Sequence, residues 1–322
     1  MKKLIRKLFF GDAVIREYSP VAIGGEISER VYLEMPGRIL DVSQDHWLLS
    51  LEPVVLGVWI EKKEDILALD ARPPCTLYFN DRGMEGVHYS AHEKNIRTHA
   101  VAIADMDHFD KIVEEDGVLF LLKMRKSKIR HLNFVKILLL FFGFYKKPRL
   151  SFEQFKSLVA SHSYPRRVRV ISFREGEAFN IFPMDLLGDI ARHRRFVFGL
   201  RHSNHSLPRI MATKKIVVSE ASSGSKGMIY QLGKHHQSGP VAMDSLPFQV
   251  IRTETFGFYV PEWVLSYKEI ELTRTMNLGS HMLLWGRAVN EKKIAPPVPN
   301  LFHIPFMLWL HQKKRGHEYP VV

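Results

Sequence analysis

Short apolar runs separated by turn residues fill the stretch from residue 25 to residue 125, a pattern that predicts strands. Arg82-Gly83 and Asp116-Gly117 are turn signals between them. We expect one short helix here, at Asp107–Glu115. No internal repeat is evident, although a degenerate second copy of the fold of the C-terminal half stays open. The predicted strands are Val31–Leu33, Trp47–Leu51, Val54–Ile60, Cys75–Phe79, Val101–Ala104 and Val118–Lys123.

The second half of the chain opens with a helix start and then turns to strands. Ser151 followed three residues later by Gln154 is a capping box, so we expect a helix that runs to about Ser161 and ends before Tyr164-Pro165. Many short antiparallel strands at the spacing that follows predict a barrel. The predicted strands are Val168–Phe173, Ala178–Met184, Arg195–Arg201, Lys215–Ser219, Leu246–Glu254, Phe256–Val260, Trp263–Thr275 and His281–Val289.

These elements predict a mainly β (α+β) chain of two domains, residues 1–148 and 149–322. The boundary falls at Lys146-Lys147-Pro148, just before the predicted capping box. The first domain is strand-rich, has no recognised fold, and ends in a basic, apolar segment. The second domain holds the predicted barrel and a tail at Leu301–Val322 that is aromatic and then basic.

Composition and charge narrow the class of protein. Of 322 residues, 46% are hydrophobic and 25% are charged, which suffices for a sizeable core and argues against disorder. Cys75 is the single cysteine, so an internal disulfide and a cysteine-based zinc site are excluded. The formal charge of +12 favours an anionic partner such as a phosphate, a nucleotide, a nucleic acid or a lipid surface.

Two basic segments bear on membrane binding. Met1–Asp12 is interrupted by charges and makes a poor signal peptide. Gly117–Phe152 has no acidic residue, and its apolar run Ile137–Phe144 is too short to span a bilayer. A buried core segment is the favoured interpretation, and a basic face at 123–149 against an anionic membrane is the alternative. Nucleic acid is less favoured, because no binding motif accompanies the charge. We expect a cytoplasmic protein, peripheral at the membrane in that alternative.

Three blocks of the second half resemble the flavin reductase-like, FMN-binding split-barrel family. The first is Arg169–Asp185, a hairpin that contains Asn180. The second is Phe196–Ser206, a strand with a polar loop. The third is Gly279–Val289, in which a serine stands where the family usually has an acid. The resemblance spans residues 164–290 and implies a split β-barrel in the C-terminal half and FMN as the cofactor.

The second block holds the residues that the resemblance assigns to the phosphate of FMN. A phosphate near charge −2 needs cations and donors close together, and Arg201 can bind it through two parallel hydrogen bonds. The loop after Arg201 adds hydroxyl, amide and imidazole donors. The alternative is a solvated polar turn. The predicted phosphate residues are Arg201, His202, Ser203, Asn204, His205 and Ser206.

The first and third blocks hold the residues that the resemblance places near the flavin ring. Pro183 cannot donate to a central ladder, so its strand is expected either at a sheet edge, where a ring could lie, or bulged at this residue. Phe182 and Met184 are larger than the family's usual residues and could fill the ring site. Asp185 is expected either to bond the ring or ribityl chain or to be a plain strand-end carboxylate. His281 is the candidate catalytic residue. The predicted ring-lining set is Asn180, Ile181, Phe182, Pro183, Met184 and Asp185.

The resemblance implies a flavoprotein, an NAD(P)H-dependent flavin reductase-type oxidoreductase in which hydride passes through flavin N5. Family members are usually homodimers with the flavin at the subunit interface, and the tail could dock across a partner. The alternative is a non-enzymatic split-barrel module that acts through its basic surface on anionic lipid or nucleic acid; a haem-handling barrel ranks last. No metal site is expected, because His88 and His92 lie in a segment that reads as a strand.

Overall fold

The computed structural model describes residues 18–23, 27, 29–81, 89–142, 150–237, 239–316, 319–320 and 322. Within these residues the chain forms two seven-stranded antiparallel sheets, a three-stranded sheet and a two-stranded sheet. The segment Met1–Asp12 and His88 lie outside the described residues, as do positions 143–149.

The described residues form the following strands and α-helices, numbered in chain order. The strands are β1 (Tyr18–Ile23), β2 (Arg30–Met35), β3 (Arg38–Asp41), β4 (His46–Leu51), β5 (Val54–Ile60), β6 (Cys75–Asn80), β7 (Ala100–Glu114), β8 (Gly117–Ile129), β9 (Arg166–Arg167), β10 (Arg169–Glu175), β11 (Ala178–Met184), β12 (Leu187–Ile190), β13 (Arg195–Arg201), β14 (Lys215–Glu220), β15 (Val250–Arg252), β16 (Tyr259–Pro261), β17 (Ser266–Asn277), β18 (His281–Lys293) and β19 (Asn300–Pro305). The helices are α1 (Lys63–Asp70), α2 (Tyr89–His99), α3 (Phe134–Leu140), α4 (Phe152–Ser161), α5 (Leu207–Thr213), α6 (Lys226–Leu232) and α7 (Phe306–Lys314).

The first sheet has the strand order β3-β2-β6-β7-β8-β5-β4. All the strands predicted from apolar runs before residue 125 are present in it. The predicted helix at Asp107–Glu115 is wrong, because these residues continue strand β7 and pair with β8 as far as the Glu114–Gly117 turn. The ladder to β8 satisfies the backbone polar groups that a helix would have satisfied internally.

The second sheet has the strand order β11-β10-β14-β17-β18-β13-β12. When the strands of each sheet are numbered from one to seven in chain order, both sheets have the same strand order, 2-1-5-6-7-4-3. Helix α1 follows the fourth strand of the first half, and helix α5 follows the fourth strand of the second half. The chain therefore contains a structural repeat, which we call the first repeat (residues 30–129) and the second repeat (residues 169–293).

The two repeats pack face to face through an apolar cluster of their own. Trp59 of the first repeat stacks on Trp285 of the second, with ring centroids 5.9 Å apart and planes at 24°. Gly199 approaches the backbone of Leu49 so closely that a Cβ on it would lie 1.7 Å from the Leu49 carbonyl oxygen. The buried members of this interface cluster are Leu49, Val55, Trp59, Ile112, Leu119, Leu121, Ile190, Val197, Leu278, Leu283 and Trp285.

Helix α4 has the predicted capping box. Ser151 Oγ accepts from the Gln154 backbone amide and Gln154 Oε1 accepts from the Ser151 amide, at 3.2 and 2.8 Å. Phe155 of α4 lies in the core of the first sheet, although the predicted division at residue 148 would place α4 in the second domain. Strand β19 pairs with β1 and β9, and Phe302 and Ile304 join that same core. The described part of the tail thus packs on its own chain, with Phe302 and Ile304 against the first repeat and Leu301 in a core of the second repeat.

Candidate functional site

A buried polar network joins edge strand β11 to the loop that follows β13. Asn180, only 1% exposed, donates from Nδ2 to Ser206 Oγ and to the His235 carbonyl, both at 3.0 Å. Its Oδ1 accepts from the backbone amide of Ile181 at 2.8 Å. Asn204 Oδ1 accepts from the backbone amide of Ser206, also at 2.8 Å. The network brings together three of the predicted cofactor residues and fixes the loop against the sheet.

The other predicted phosphate residues form an exposed rim above this network. Arg201, His202, Ser203 and His205 are exposed, whereas Asn204 and Ser206 are buried. The rim presents a guanidinium, a hydroxyl and two imidazoles within five residues, on a loop whose base is held by buried hydrogen bonds. This donor set fits a phosphate group.

His281 lies beside this rim, where its backbone pairs with Arg201. It is 2% exposed, and its Nδ1 lies 2.8 Å from Ser280 Oγ. Burial, together with the nearby charges of Arg201 and His202, lowers the pKa of His281 to about 3. The imidazole is therefore neutral at physiological pH. With Nδ1 engaged by Ser280, Nε2 is the ring atom left for a ligand.

The first repeat holds the turn that carries His281. Ser280 Oγ accepts from the backbone amide of Glu52 at 3.0 Å, and the Ser280 amide donates to the Glu52 carbonyl at 2.7 Å. Gly279 has φ +99°, and a Cβ there would lie 2.5 Å from the same carbonyl. Only glycine fits this close approach without strain.

Strand β11 is an edge strand, as Pro183 predicts. Its side chains alternate between two cores: Ile181 packs in one, and Phe182 and Met184 pack in the other. Phe182 is fully buried, so the large residues expected to fill the ring site lie inside the protein.

The outer side of β11 is covered by residues 233–237 and 239–241. Val241 donates its backbone amide to the Phe179 carbonyl at 2.9 Å. His235 Nδ1 donates to the Ile181 carbonyl at 2.8 Å, and His236 Nε2 donates to the Pro183 carbonyl at 2.6 Å. Every second carbonyl of the edge strand is therefore satisfied by this one segment, which we call the covering segment.

His236 ties the covering segment to the phosphate loop. Its Nδ1 accepts from Asn204 Nδ2 at 3.0 Å while its Nε2 donates to the Pro183 carbonyl. These two bonds require the neutral tautomer with the proton on Nε2. Burial lowers the pKa of His236, which agrees with a neutral ring. The residues at the phosphate end fit FMN, whereas the predicted ring edge is covered by this segment.

Asp185 lies apart from the loop, in a cleft of about 370 Å³ between the repeats. Its carboxylate pairs with Arg166 at 3.1 Å and with His303 Nδ1 at 2.9 Å. The charge of Arg166 and the bond from His303 hold the pKa of Asp185 well below its usual range, against the opposing effect of burial. The carboxylate is thus engaged in a buried ion pair.

Sequence reasoning missed two groups at this end of the molecule. His235 and His236 had no motif to mark them, because their role depends on packing across β11. Arg166, Arg167 and Arg169 line the cleft between the repeats. Their spacing, three basic residues in four positions, was the sequence signal that could have identified them.

The metal and membrane expectations concern other parts of the fold. Among the described residues there is no group of three or more His, Cys, Asp or Glu that could hold a metal ion. Within the same part of the chain, no helix is long and apolar enough to cross a bilayer. Lys123, Arg125, Lys126 and Lys128 are exposed along β8, and Phe134 and Val135 of α3 are exposed beyond it.

No protein-family model and no curated protein matches the sequence. Solved structures do match. An NADH:FAD oxidoreductase of Streptomyces globisporus is 14% identical, with a TM-score of 0.39 over 43% of this chain and 82% of its own. An FMN-binding protein from Thermus thermophilus is 19% identical, with a TM-score of 0.39 over 45% and 85%. The styrene monooxygenase flavin reductase of Pseudomonas putida S12 is 17% identical, with a TM-score of 0.37 over 43% and 86%. The solved structures that this chain resembles are flavin reductases and FMN-binding proteins, as the three sequence blocks predict.

Proposed function

We propose that the chain is a flavin-binding oxidoreductase of the flavin reductase type, which holds FMN by its phosphate in the loop Arg201–Ser206. The observation that carries this proposal is the buried network of Asn180, Asn204 and Ser206 beneath exposed donors. A loop already fixed by buried hydrogen bonds loses little conformational entropy when it binds an anion. The charge of +12 over the chain adds a long-range attraction for a nucleotide.

Each residue of the loop has a distinct part in this proposal. Arg201 supplies the charge and a planar pair of donors. Ser203 and His205, exposed on the same rim, add further donors to phosphate oxygens. Asn204 and Ser206 shape the loop from below, since their side chains already bond within the protein.

Near the ring, we propose the strand residues 180–185 as contacts and His281 as the group that meets the reacting face. FMN would supply the redox chemistry, by accepting a hydride from NAD(P)H. His281 is neutral, so it would orient a ligand through a hydrogen bond at Nε2 rather than through charge. Because the covering segment occupies the outer carbonyls of β11, a ring placed along that edge requires this segment to move.

The direct test is FMN binding by the purified protein. We expect flavin absorption bands, or saturable FMN binding after reconstitution, and NAD(P)H oxidation by the loaded protein. Arg201→Ala should weaken FMN binding by about 1.5–3 kcal/mol, the range for a hydrogen bond to a charged group. Arg287→Ala is the matched control, because Arg287 is exposed at the other end of the same β13–β18 strand pair.

Equal FMN affinity in the two arginine variants would remove the loop from the proposed site. A colourless protein that binds no added FMN would contradict the proposed function. The non-enzymatic alternative would then be tested by flotation with vesicles that contain anionic lipid, through the exposed basic residues of β8. The homodimer that the resemblance implies stays a prediction, and the repeat structure favours a different assembly.

A further inference from the structure

We propose that the first repeat takes the place of a second subunit, so that the chain works as a monomer with one flavin site, in the second repeat. The single-site part of this proposal rests on the proposed function. The assembly part does not, because it depends on the two repeats alone.

The interface cluster is built from corresponding strands of the two repeats. Strands β4, β5, β7 and β8 contribute from the first repeat. Strands β12, β13 and β18 contribute from the second repeat, and Met276 of β17 packs against them, partly buried. These are the third, fourth, sixth and seventh strands of each repeat. The same face of both copies is thus used, which is the arrangement of a two-fold symmetric pair. The face is buried within one chain and cannot also bind a second copy.

Charges at the rim of this interface distinguish the two repeats. The first repeat supplies acids and the second supplies bases: Arg192 pairs with Asp45 at 2.8 Å and with Glu61, and Arg195 pairs with Glu114 at 2.8 Å. Two second repeats brought together through this face would lack the first-repeat acids that Arg192 and Arg195 pair with here. The rim therefore favours pairing of the first repeat with the second over pairing of like with like.

The repeats also differ where the second one would bind the phosphate. Five residues, 202–206, join β13 to α5, whereas two residues, Glu61 and Lys62, join β5 to α1. Glu61 is negative and is already bonded to Trp59 Nε1 at 2.9 Å and to His193 at 2.8 Å. The first repeat therefore lacks the polar loop that the second repeat has at this position, and the carboxylate of Glu61 would repel a phosphate.

The first repeat nevertheless completes the site of the second. The turn at Glu52 holds Ser280 through two hydrogen bonds, one from the Ser280 amide to the Glu52 carbonyl and one from the Glu52 amide to Ser280 Oγ, and Ser280 Oγ contacts His281. In a two-subunit assembly this support would come from the partner. Here it comes from the same chain, and this assigns a role to the strand-rich N-terminal part.

Light scattering after size-exclusion chromatography, combined with FMN titration, tests both parts. We expect a mass near 37.4 kDa at micromolar concentration and one FMN per chain. Lys62→Ala, in the connection of the first repeat that corresponds to residues 202–206, should leave FMN affinity unchanged within about twofold, whereas Arg201→Ala should lower it at least tenfold. Lys62 is exposed and lies outside the proposed site.

A mass near twice this value would overturn the monomer, and two FMN per chain would overturn the single site. A monomer that binds no FMN would overturn the proposed function and the single site, while the mass would uphold the assembly part.

A charge exchange gives an independent check. Arg192→Glu should lower the urea midpoint, and adding Glu61→Lys should restore part of the loss. No restoration would contradict the role given to the rim.

Discussion

Replacing Asn180 by alanine tests whether the buried network fixes the phosphate loop. The substitution removes three hydrogen bonds, of 3.0, 3.0 and 2.8 Å, from a side chain that is 1% exposed. It leaves the Ile181 amide without its acceptor and the His235 carbonyl and Ser206 hydroxyl without their donor. At about 0.5–1.5 kcal/mol per bond, the expected loss of unfolding free energy is roughly 2–4 kcal/mol.

Urea unfolding followed by tryptophan fluorescence measures this loss. Ser206→Ala, which removes one partner, should cost about 1 kcal/mol, and the double variant should show a coupling of similar size between the two sites. FMN affinity should fall in the Asn180→Ala protein because the loop is no longer held. A loss below about 0.5 kcal/mol, as for an ordinary surface substitution, would refute the network as a structural element.

Two further predictions concern buried charges and histidines. Asp185→Ala should destabilise the protein by about 3–5 kcal/mol, because it leaves Arg166 buried without the carboxylate it pairs with. Urea unfolding at pH 7 measures this loss, and a loss under about 1 kcal/mol would contradict the pairing. The depressed pKa of Asp185 stabilises the fold above the unfolded value near 3.9, and this contribution is lost as pH falls below that value. His46 is fully buried with its pKa lowered to about 4 by burial, so protonation of the unfolded chain should reduce stability as pH falls from about 6.5 to 4, by about 1.4 kcal/mol per pH unit. His131, His162 and His281 are also buried with lowered pKa values, so His46→Gln should reduce, and not abolish, the dependence of the urea midpoint on pH over that window. An unchanged slope would assign the dependence to the other groups.

Local elements of the fold could be predicted where one strand or cap carries its own signal. Ala178–Met184 and Arg195–Arg201 have the predicted bounds, because turn residues mark both ends of each apolar run. Pro183 indicated that its strand lies at a sheet edge, because a residue without an amide proton cannot donate a hydrogen bond to a neighbouring strand. The helix predicted at Asp107–Glu115 is wrong because the apolar spacing of these residues suits a helix as well as a strand. The partner strand β8, whose pairing makes them a strand, follows the Asp116-Gly117 turn.

The long-range features could not be predicted in the same way. The repeat is visible only as strand order, since the phosphate loop of one copy has been replaced by two residues in the other. The candidate site was predicted as a set of loop and strand residues, and the structure joins Asn180 with Asn204 and Ser206. The structure places Asp185 in a separate cleft and buries Phe182. The covering segment, which contains His235 and His236, lies more than 50 residues further along the chain than the strand it covers.

The measurement that tests the central claim most directly is an FMN titration of the monomeric protein with its mass recorded on the same sample. The account predicts one FMN bound by a chain of 37.4 kDa, with affinity reduced at least tenfold by Arg201→Ala and unchanged by Arg287→Ala. Absence of FMN binding at high micromolar ligand, or equal binding by both variants, would contradict it.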